Sequence, residues 1–417
     1  MLPPGPTTPA AIQTLEWIAR PTDLLRRSAA RYGEPFTLRT LWADAPMVLV
    51  SDPAEIRRIH AEPPEVLRGG ASSQVLEPFA GPSSILLTDG EEHLRARRLV
   101  LPPFHGDRME ARREEIARMA AAEVARWPLG EPIATLPRMQ ALTLDVILRV
   151  VLDAPDAALR TAIRGALDLA QSLGRLAVLS LVPPGTPPWR RFERAVARVD
   201  ALLLAAIRAR PAGGAAVIDE LIAAGGSERE LRDQVVTLLA AGHETTAGAL
   251  AWACERLARH PAVQERLREE GDAYLAATVK EVLRTRPVLS ITPRKAVIAY
   301  ELGGHTLPAG THVTPCVYLA HRRPELWPEP TAFRPERFLG ARTPPGWLPF
   351  GGGIRRCAGA AFATMELHEV LRAVVARVRL APDRPAGERM RRRGVTLSPS
   401  RGGRVIVTAR APEAYPQ

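Results

Sequence analysis

FGGGIRRCAG, Phe350–Gly359, sets one cysteine behind three glycines and two arginines, directly ahead of an apolar helical run. Cysteine is scarce here. Cys254, Cys316 and Cys357 are the only three in 417 residues, an odd number at no repeated spacing, which suggests neither a disulfide framework nor a zinc site. Gly351, Gly352, Gly353 and Gly359 remove side chains on both flanks of Cys357, so that backbone can approach something flat or bulky. The loop leads into a helix, whose free N–H groups and positive dipole end favour a thiolate. A thiolate serves as nucleophile, zinc ligand or iron ligand. Zinc lacks further cysteines and histidines nearby, and no base for a nucleophile is evident in the local sequence.

The rest of the chain bounds the answer. An apolar content of 46% with only 5% aromatics describes a globular protein whose core is packed by Leu, Val, Ile and Ala. No apolar run reaches bilayer length, and the N-terminal MLPPGPTTPA has no signal pattern, so a cytoplasmic protein without a membrane anchor is expected. The net charge of +11 is almost all arginine, Lys280 and Lys295 being the only lysines. These arginines are spread along the chain rather than gathered in a stripe, which argues against nucleic acid, although a basic face could steer an acidic protein partner.

Helices dominate and strands are a minority. PFTLRT and PMVLVS in the first 65 residues read as short strands, and Glu91 to about Val151 has helical periodicity. The Pro and Gly residues of VPPGTPPW, 182–189, break the helical pattern and place Thr186 in a loop. Ser227 and Glu230 form a capping box that opens the longest helix, and Pro261 closes it. VIAYELGGHTLPAGTHVTP alternates like strands, HRRPELWPEPTAFRPERF must be tied down by side chains, and the closing GVTLSPSRGGRVIVTAR reads as a hairpin. No internal repeat or linker divides the chain, so residues 1–417 are expected to form one domain, β-containing up to about residue 65 and helix-rich thereafter.

FGGGIRRCAG resembles the cysteine-ligand loop of the cytochromes P-450, the haem-thiolate monooxygenases, at Phe350, Gly353, Arg355, Cys357 and Gly359. The likeness covers nearly the whole chain. It implies a mainly α fold with minor β, the helix-rich triangular prism with small sheets of the soluble bacterial type. It also implies haem b with Cys357 as thiolate ligand to iron, in contact with Phe350, Gly351, Gly359 and Ala241. AGHETT, Ala241–Thr246, resembles the motif whose acid and alcohol, here Glu244 and Thr245, deliver protons during oxygen activation. In KEVLR and PERF the resemblance points to a buried structural network of Glu281, Arg284 and Arg337 that holds the cysteine loop. In EEHLRARR and ITPRK it points to His93, Arg97 and Arg294, with Arg355, as donors to the haem propionates.

Oxygen, a ferredoxin and its reductase, and a hydrophobic small molecule follow as partners, and a monomer is expected. Segments matching the substrate-facing parts of the family hold Leu76, Phe79, Leu173, Ala240, Val288, Leu289, Ile291 and Leu397. An aliphatic lining of this kind admits fatty acids, terpenoids or steroids. A peroxide-driven haem-thiolate enzyme and a non-catalytic haem sensor are the alternatives. The acid–alcohol pair counts against both.

Overall fold

A computed structural model describes residues 1–41, 43–104, 106–153, 157–171, 185–210, 214, 216–340 and 343–410. Eight helices carry the argument: α1 Pro53–Ala61, α2 Gly90–Val100, α3 Thr135–Leu152, α4 Ala157–Gln171, α5 Pro187–Arg208, α6 Glu228–Arg259, α7 Gly271–Thr285 and α8 Ala360–Arg377. The expected capping box is formed: Glu230 N–H donates to Ser227 Oγ, and Ser227 N–H donates to Glu230 Oε2 at 2.9 Å. Thr186 and the prolines after it do more than break a pattern, because Pro187 occupies the first position of α5, where its missing N–H costs nothing.

At 32 residues, α6 runs through the centre of the molecule, and Ala247, Leu250, Trp252 and Cys254 on it are fully buried. Its alanines and glycines let neighbours press close. A Cβ at Gly242 would lie 2.9 Å from Ile147 Cδ1 on α3, so glycine here permits the α3–α6 contact, which outweighs the roughly 1 kcal/mol it costs in a helix interior. Packing also involves α8 and α5, in one continuous apolar core that includes Ile147, Leu203, Phe362 and Val370.

Among the described residues, twelve strands form four small sheets. β1 Phe36–Leu38, β2 Met47–Val50, β3 Leu67–Arg68, β5 Arg294–Ala296 and β8 His312–Pro315 build a five-stranded sheet in the order β1-β2-β8-β5-β3, with β2 and β8 parallel. It covers a second core of Val48, Val50, Leu67 and Val313. β6 Tyr300–Leu302 and β7 His305–Leu307 pair as a hairpin. The expected C-terminal hairpin is not made. Instead β11 Thr396–Pro399 pairs back with β10 Met390–Arg393, while β12 Arg404–Arg410 lies between β4 Pro132–Ala134 and β9 Val378–Pro382. Alternation marks a strand but not its partner, and here the non-local partners bury Val405 and Val407.

Candidate active site

The glycine loop is a tight structure closed on itself. Gly351 and Gly353 hold positive φ, +66° and +62°, Cys357 N–H donates to Phe350 O at 2.9 Å, and Gly351 N–H donates to Leu348 O at 3.1 Å. Phe350 packs on the main core, its ring edge-on to Trp347. Cys254 and Cys316 are fully buried, whereas Cys357 is exposed. Surrounding protein nevertheless desolvates its thiol and pushes the pKa up, against the pull of the Gly359 N–H and of Arg356 and Arg97. Burial thus opposes the pull of the helix terminus on the thiol, and a cation bound at the sulfur would favour the thiolate.

The glycines serve different ends. Gly359 faces open space, in keeping with room for a flat group. Gly352 and Gly353 do not. Their missing side chains are replaced by His60, at the end of α1, a residue that no local sequence signal selects.

Around the loop gather His93, Arg97, Arg294 and Arg355. Arg97 Nη1 donates to Arg356 O at 2.7 Å, tying α2 to the loop. His93 is buried, with Nδ1 3.0 Å from Ile85 O and Nε2 3.5 Å from Ile354 O, and burial and Arg355 together lower its pKa. The Arg355 fork is turned to Asp89 at 3.0 Å and to the carbonyls of Ile85, Leu86 and Thr88. Asp89 is a second residue that sequence reasoning missed. It stands where a helix cap belongs but accepts instead from the N–H groups of Gly69, Gly70 and Ala71.

Arg294, by contrast, is half-buried and makes its hydrogen bond to Pro293 O at 3.0 Å, with no carboxylate of the described residues within ion-pair distance. Burial and then Arg355 lower its pKa to about 10. Three guanidiniums, of which only Arg355 meets a carboxylate among the described residues, stand beside an accessible cysteine and are a donor set that fits an anionic, metal-bearing cofactor.

On α6 the motif residues divide. Leu238, Ala241 and Thr245, three and four residues apart, form an accessible stripe on a helix that is otherwise largely buried. Thr245 Oγ1 donates to Ala241 O at 2.6 Å. Glu244 is buried and faces elsewhere. Its Oε2 accepts from Gln140 Nε2 at 2.7 Å, and its Oε1 is 3.1 Å from Arg393 Nε on β10. Burial raises its pKa, while Arg393 and Gln140 pull it back. Arg393 also approaches Asp168 on α4, at 3.9 Å.

Glu281 and Arg284 are completely buried and bidentate, both bonds 2.7 Å. Arg284 spends its remaining donors on the carbonyls of His321, Pro330 and Ala332, and Glu281 Oε1 accepts from Arg334 N–H, so the irregular segment is pinned. Arg337 is looser, with its Nε 3.5 Å from Glu281 Oε1. His321 extends the network to the cysteine loop by accepting from Leu348 N–H at 2.8 Å, a contact that local sequence does not signal.

Of the expected substrate residues, Phe79 and Ala240 meet in one small apolar pocket with Ile163, Leu167 and Leu239. A groove of about 680 Å³, lined by Gln74, Glu77, Val196, Asp200 and Arg229, opens beside α5 and the start of α6. Leu76, Leu289 and Ile291 are half-buried. Leu397, 1% exposed, and Val288, 8% exposed, belong instead to the packed core, because Leu397 N–H donates to Val288 O and draws β11 against α6. Leu173 lies outside the described residues.

Comparison with known proteins agrees with this arrangement. The sequence profile described as "Cytochrome P450" matches residues 3–406. The chain is 40% identical to "Putative cytochrome P450 135B1" of Mycobacterium tuberculosis strain H37Rv, over 98% of this chain and 92% of that one.

The chain belongs to the cytochrome P450 family.

It is likewise 37% identical to "Putative cytochrome P450 138" of the same organism, over 98% and 97% of the two chains. Among solved structures, this P450 superposes on a retinoic acid-bound cyanobacterial CYP120A1 with a TM-score of 0.86 at 22% identity, covering 99% and 100% of the chains. It superposes on CYP175A1 from Thermus thermophilus with a TM-score of 0.74 at 28% identity, covering 93% and 95%. The expected fold class and family are thereby confirmed. The protein is a P450 monooxygenase that uses cysteine-ligated haem b. Among the described residues, no helix is long and apolar enough to cross a membrane.

Proposed function

We propose that this P450 hydroxylates a fatty acid, terpenoid or steroid, taking electrons from a ferredoxin that a ferredoxin reductase recharges. The balance is one C–H substrate, O2, two electrons and two protons giving an alcohol and water. Haem, when bound, supplies the activation of O2. The chain supplies the rest. Cys357 holds the iron as thiolate, with Phe350, Gly351 and Gly359 shaping its loop and Ala241 giving backbone room from α6. Arg294, Arg97, Arg355 and His93 hold the propionates. The observation that carries the cofactor assignment is Arg294, a half-buried guanidinium with no carboxylate of the described residues within ion-pair distance, set beside Arg355 and the loop of the one exposed cysteine.

Thr245 offers a hydroxyl on the accessible stripe, and Glu244 next to it is an acid whose pKa burial raises against the pull of Arg393 and Gln140, a candidate proton carrier. Phe79, Ala240, Ile163 and Leu167 enclose only about 10 Å³, too little for a substrate, but as an apolar wall they favour a hydrocarbon and offer no polar group to fix a hydrophilic molecule. Exposed Arg356 and Ile354, on the loop that carries Cys357, and Arg97 beside them form a basic rim with an apolar contact that suits an acidic ferredoxin.

The test is a titration of the purified ferric protein with a panel of fatty acids, terpenes and steroids, followed in the visible spectrum. A saturable low- to high-spin shift with one class, and alcohol product when ferredoxin and reductase are added, is expected. Turnover with peroxide alone, and none with ferredoxin, would overturn the electron source. The absence of any thiolate–haem spectrum after haem supplementation would overturn the cofactor site.

A further inference from the structure

The cysteine loop is closed by its own backbone hydrogen bonds, but three glycines in a row carry no side chains to set where it stands against its neighbours, so contacts from outside must do so. A Cβ at Gly352 would lie 2.4 Å from His60 Nδ1 and 3.2 Å from Cε1 and Cγ, and a Cβ at Gly353 would lie 2.0 Å from the His60 carbonyl oxygen. Contacts that short exclude any side chain at either position. His60 is itself held. It ends α1, is 7% exposed, and its Nε2 is 3.3 Å from Thr292 Oγ1 on the approach to β5. A Cβ at Gly351 would rest in ordinary contact with Thr292 Cγ2, at 3.8 Å. Thr292 stands two residues before Arg294, whose charge, after burial, helps hold the imidazole neutral with a pKa of about 4.

We propose that His60 is a positioning residue of the haem site: its ring is the spacer that sets the cysteine loop against α1 and against the Thr292–Arg294 segment, and so fixes Cys357 relative to Arg294. This rests on Cys357 being the haem ligand. The ring suits the task, because it is flat and rigid, loses little freedom on burial, and is anchored by a hydrogen bond at its far edge. Contacts one step removed from a metal ligand are commonly worth about 10- to 100-fold in metal affinity, because they hold the ligand in its productive orientation.

The steric pattern supplies its own control. The three atoms nearest a Cβ at Gly352 belong to the ring, whereas the two nearest one at Gly353 are backbone, and Gly353 also holds positive φ. Removing the ring should therefore rescue a side chain at 352 but not one at 353.

The experiment measures haem loss from each holoprotein to excess apomyoglobin, together with the reduction potential of the bound haem. His60→Ala and Gly352→Ala should each release haem about tenfold faster or more, and His60→Ala should shift the potential. The double variant His60→Ala/Gly352→Ala should retain haem better than Gly352→Ala alone. Gly353→Ala should stay defective in both backgrounds. His60→Phe, which keeps the bulk of the ring, should retain haem better than His60→Ala, and this comparison decides the matter if the alanine variant folds poorly. Wild-type haem release and potential in His60→Ala, no rescue in the double variant, or His60→Phe behaving as His60→Ala would each overturn the spacer. A Cys357→Ala protein that still shows a thiolate–haem spectrum would overturn the ligand assignment, with the coupling of His60 to Gly352 left to be read from melting temperatures of the same cycle.

Discussion

Thr245 gives its proton to the carbonyl of Ala241 and keeps its lone pairs free on the accessible stripe of α6. Replacing it by alanine removes the hydroxyl, and alanine is the better helix former, so the fold should not suffer. Thr245→Ala is expected to consume O2 and reductant while forming about 100-fold less alcohol, the lower end of what a positioned proton donor contributes; Thr245→Ser should recover most of it. The ratio of product to reductant consumed, measured for the three proteins, checks this, and an unchanged ratio in Thr245→Ala would remove the hydroxyl from proton delivery. At this scale the sequence was informative where a rare residue type stood in unusual company. Cys357 could be picked out because glycines and a helix start surround it. His60 and Asp89 could not. His60 meets Gly352 and Thr292 from far along the chain, and nothing local separates it from any other histidine ending an amphipathic helix. Asp89 resembles a cap, yet its carboxylate serves Gly69, Gly70 and Arg355.

At the scale of elements, the length of irregular chain after His321 depends on α7 for its anchorage. Every N–H of Arg284 is engaged, two by Glu281 and the others by carbonyls of that segment. Glu281→Gln would leave a fully buried guanidinium without its counter-charge, and a loss of about 3–5 kcal/mol in urea unfolding is expected, with faster haem release. Arg337→Ala should cost clearly less, because that side chain is 12% exposed and lies 3.5 Å from Glu281 Oε1. Equal losses in the two variants would mean that the network is shared evenly, against the geometry. The capped central helix was legible because its stop and start signals are local. The partner of β12 was not, because period-two alternation is satisfied equally by β11 and by β9. The placement of Leu397 was hidden too, since all four residues of β11 are buried and no alternation marks one face as the core face.

At the scale of the molecule, buried histidines set a lower limit to the useful pH range. His321 donates from Nδ1 to Arg284 O and accepts Leu348 N–H at Nε2, so protonation would break the second bond, and burial lowers its pKa to about 3. Unfolded, it takes up a proton near 6.5. The unfolded state therefore binds more protons between these values, and the contribution of His321 to stability is complete above about pH 6.5 and is lost as pH falls toward 3. Glu244 and Glu366, whose acids burial pushes up, act in the opposite direction, so the difference between wild type and His321→Asn isolates the histidine. That difference in urea midpoint should shrink steadily from about pH 7 to about pH 5; a constant difference would show that His321 does not titrate with unfolding.

The accessible stripe on α6 has a metric consequence. Leu238, Ala241 and Thr245 are rigidly spaced along about 10 Å of helix, so they act as graduations along any long molecule lying beside them. Bulk changed at Leu238, the graduation farthest from Thr245, would alter the reach of such a molecule while leaving Ala241, proposed to give the haem room, unchanged. On the proposed hydroxylation of a long substrate, the carbon oxidised would be set by where along this scale its chain is stopped, and the position of the hydroxyl could be moved one step at a time.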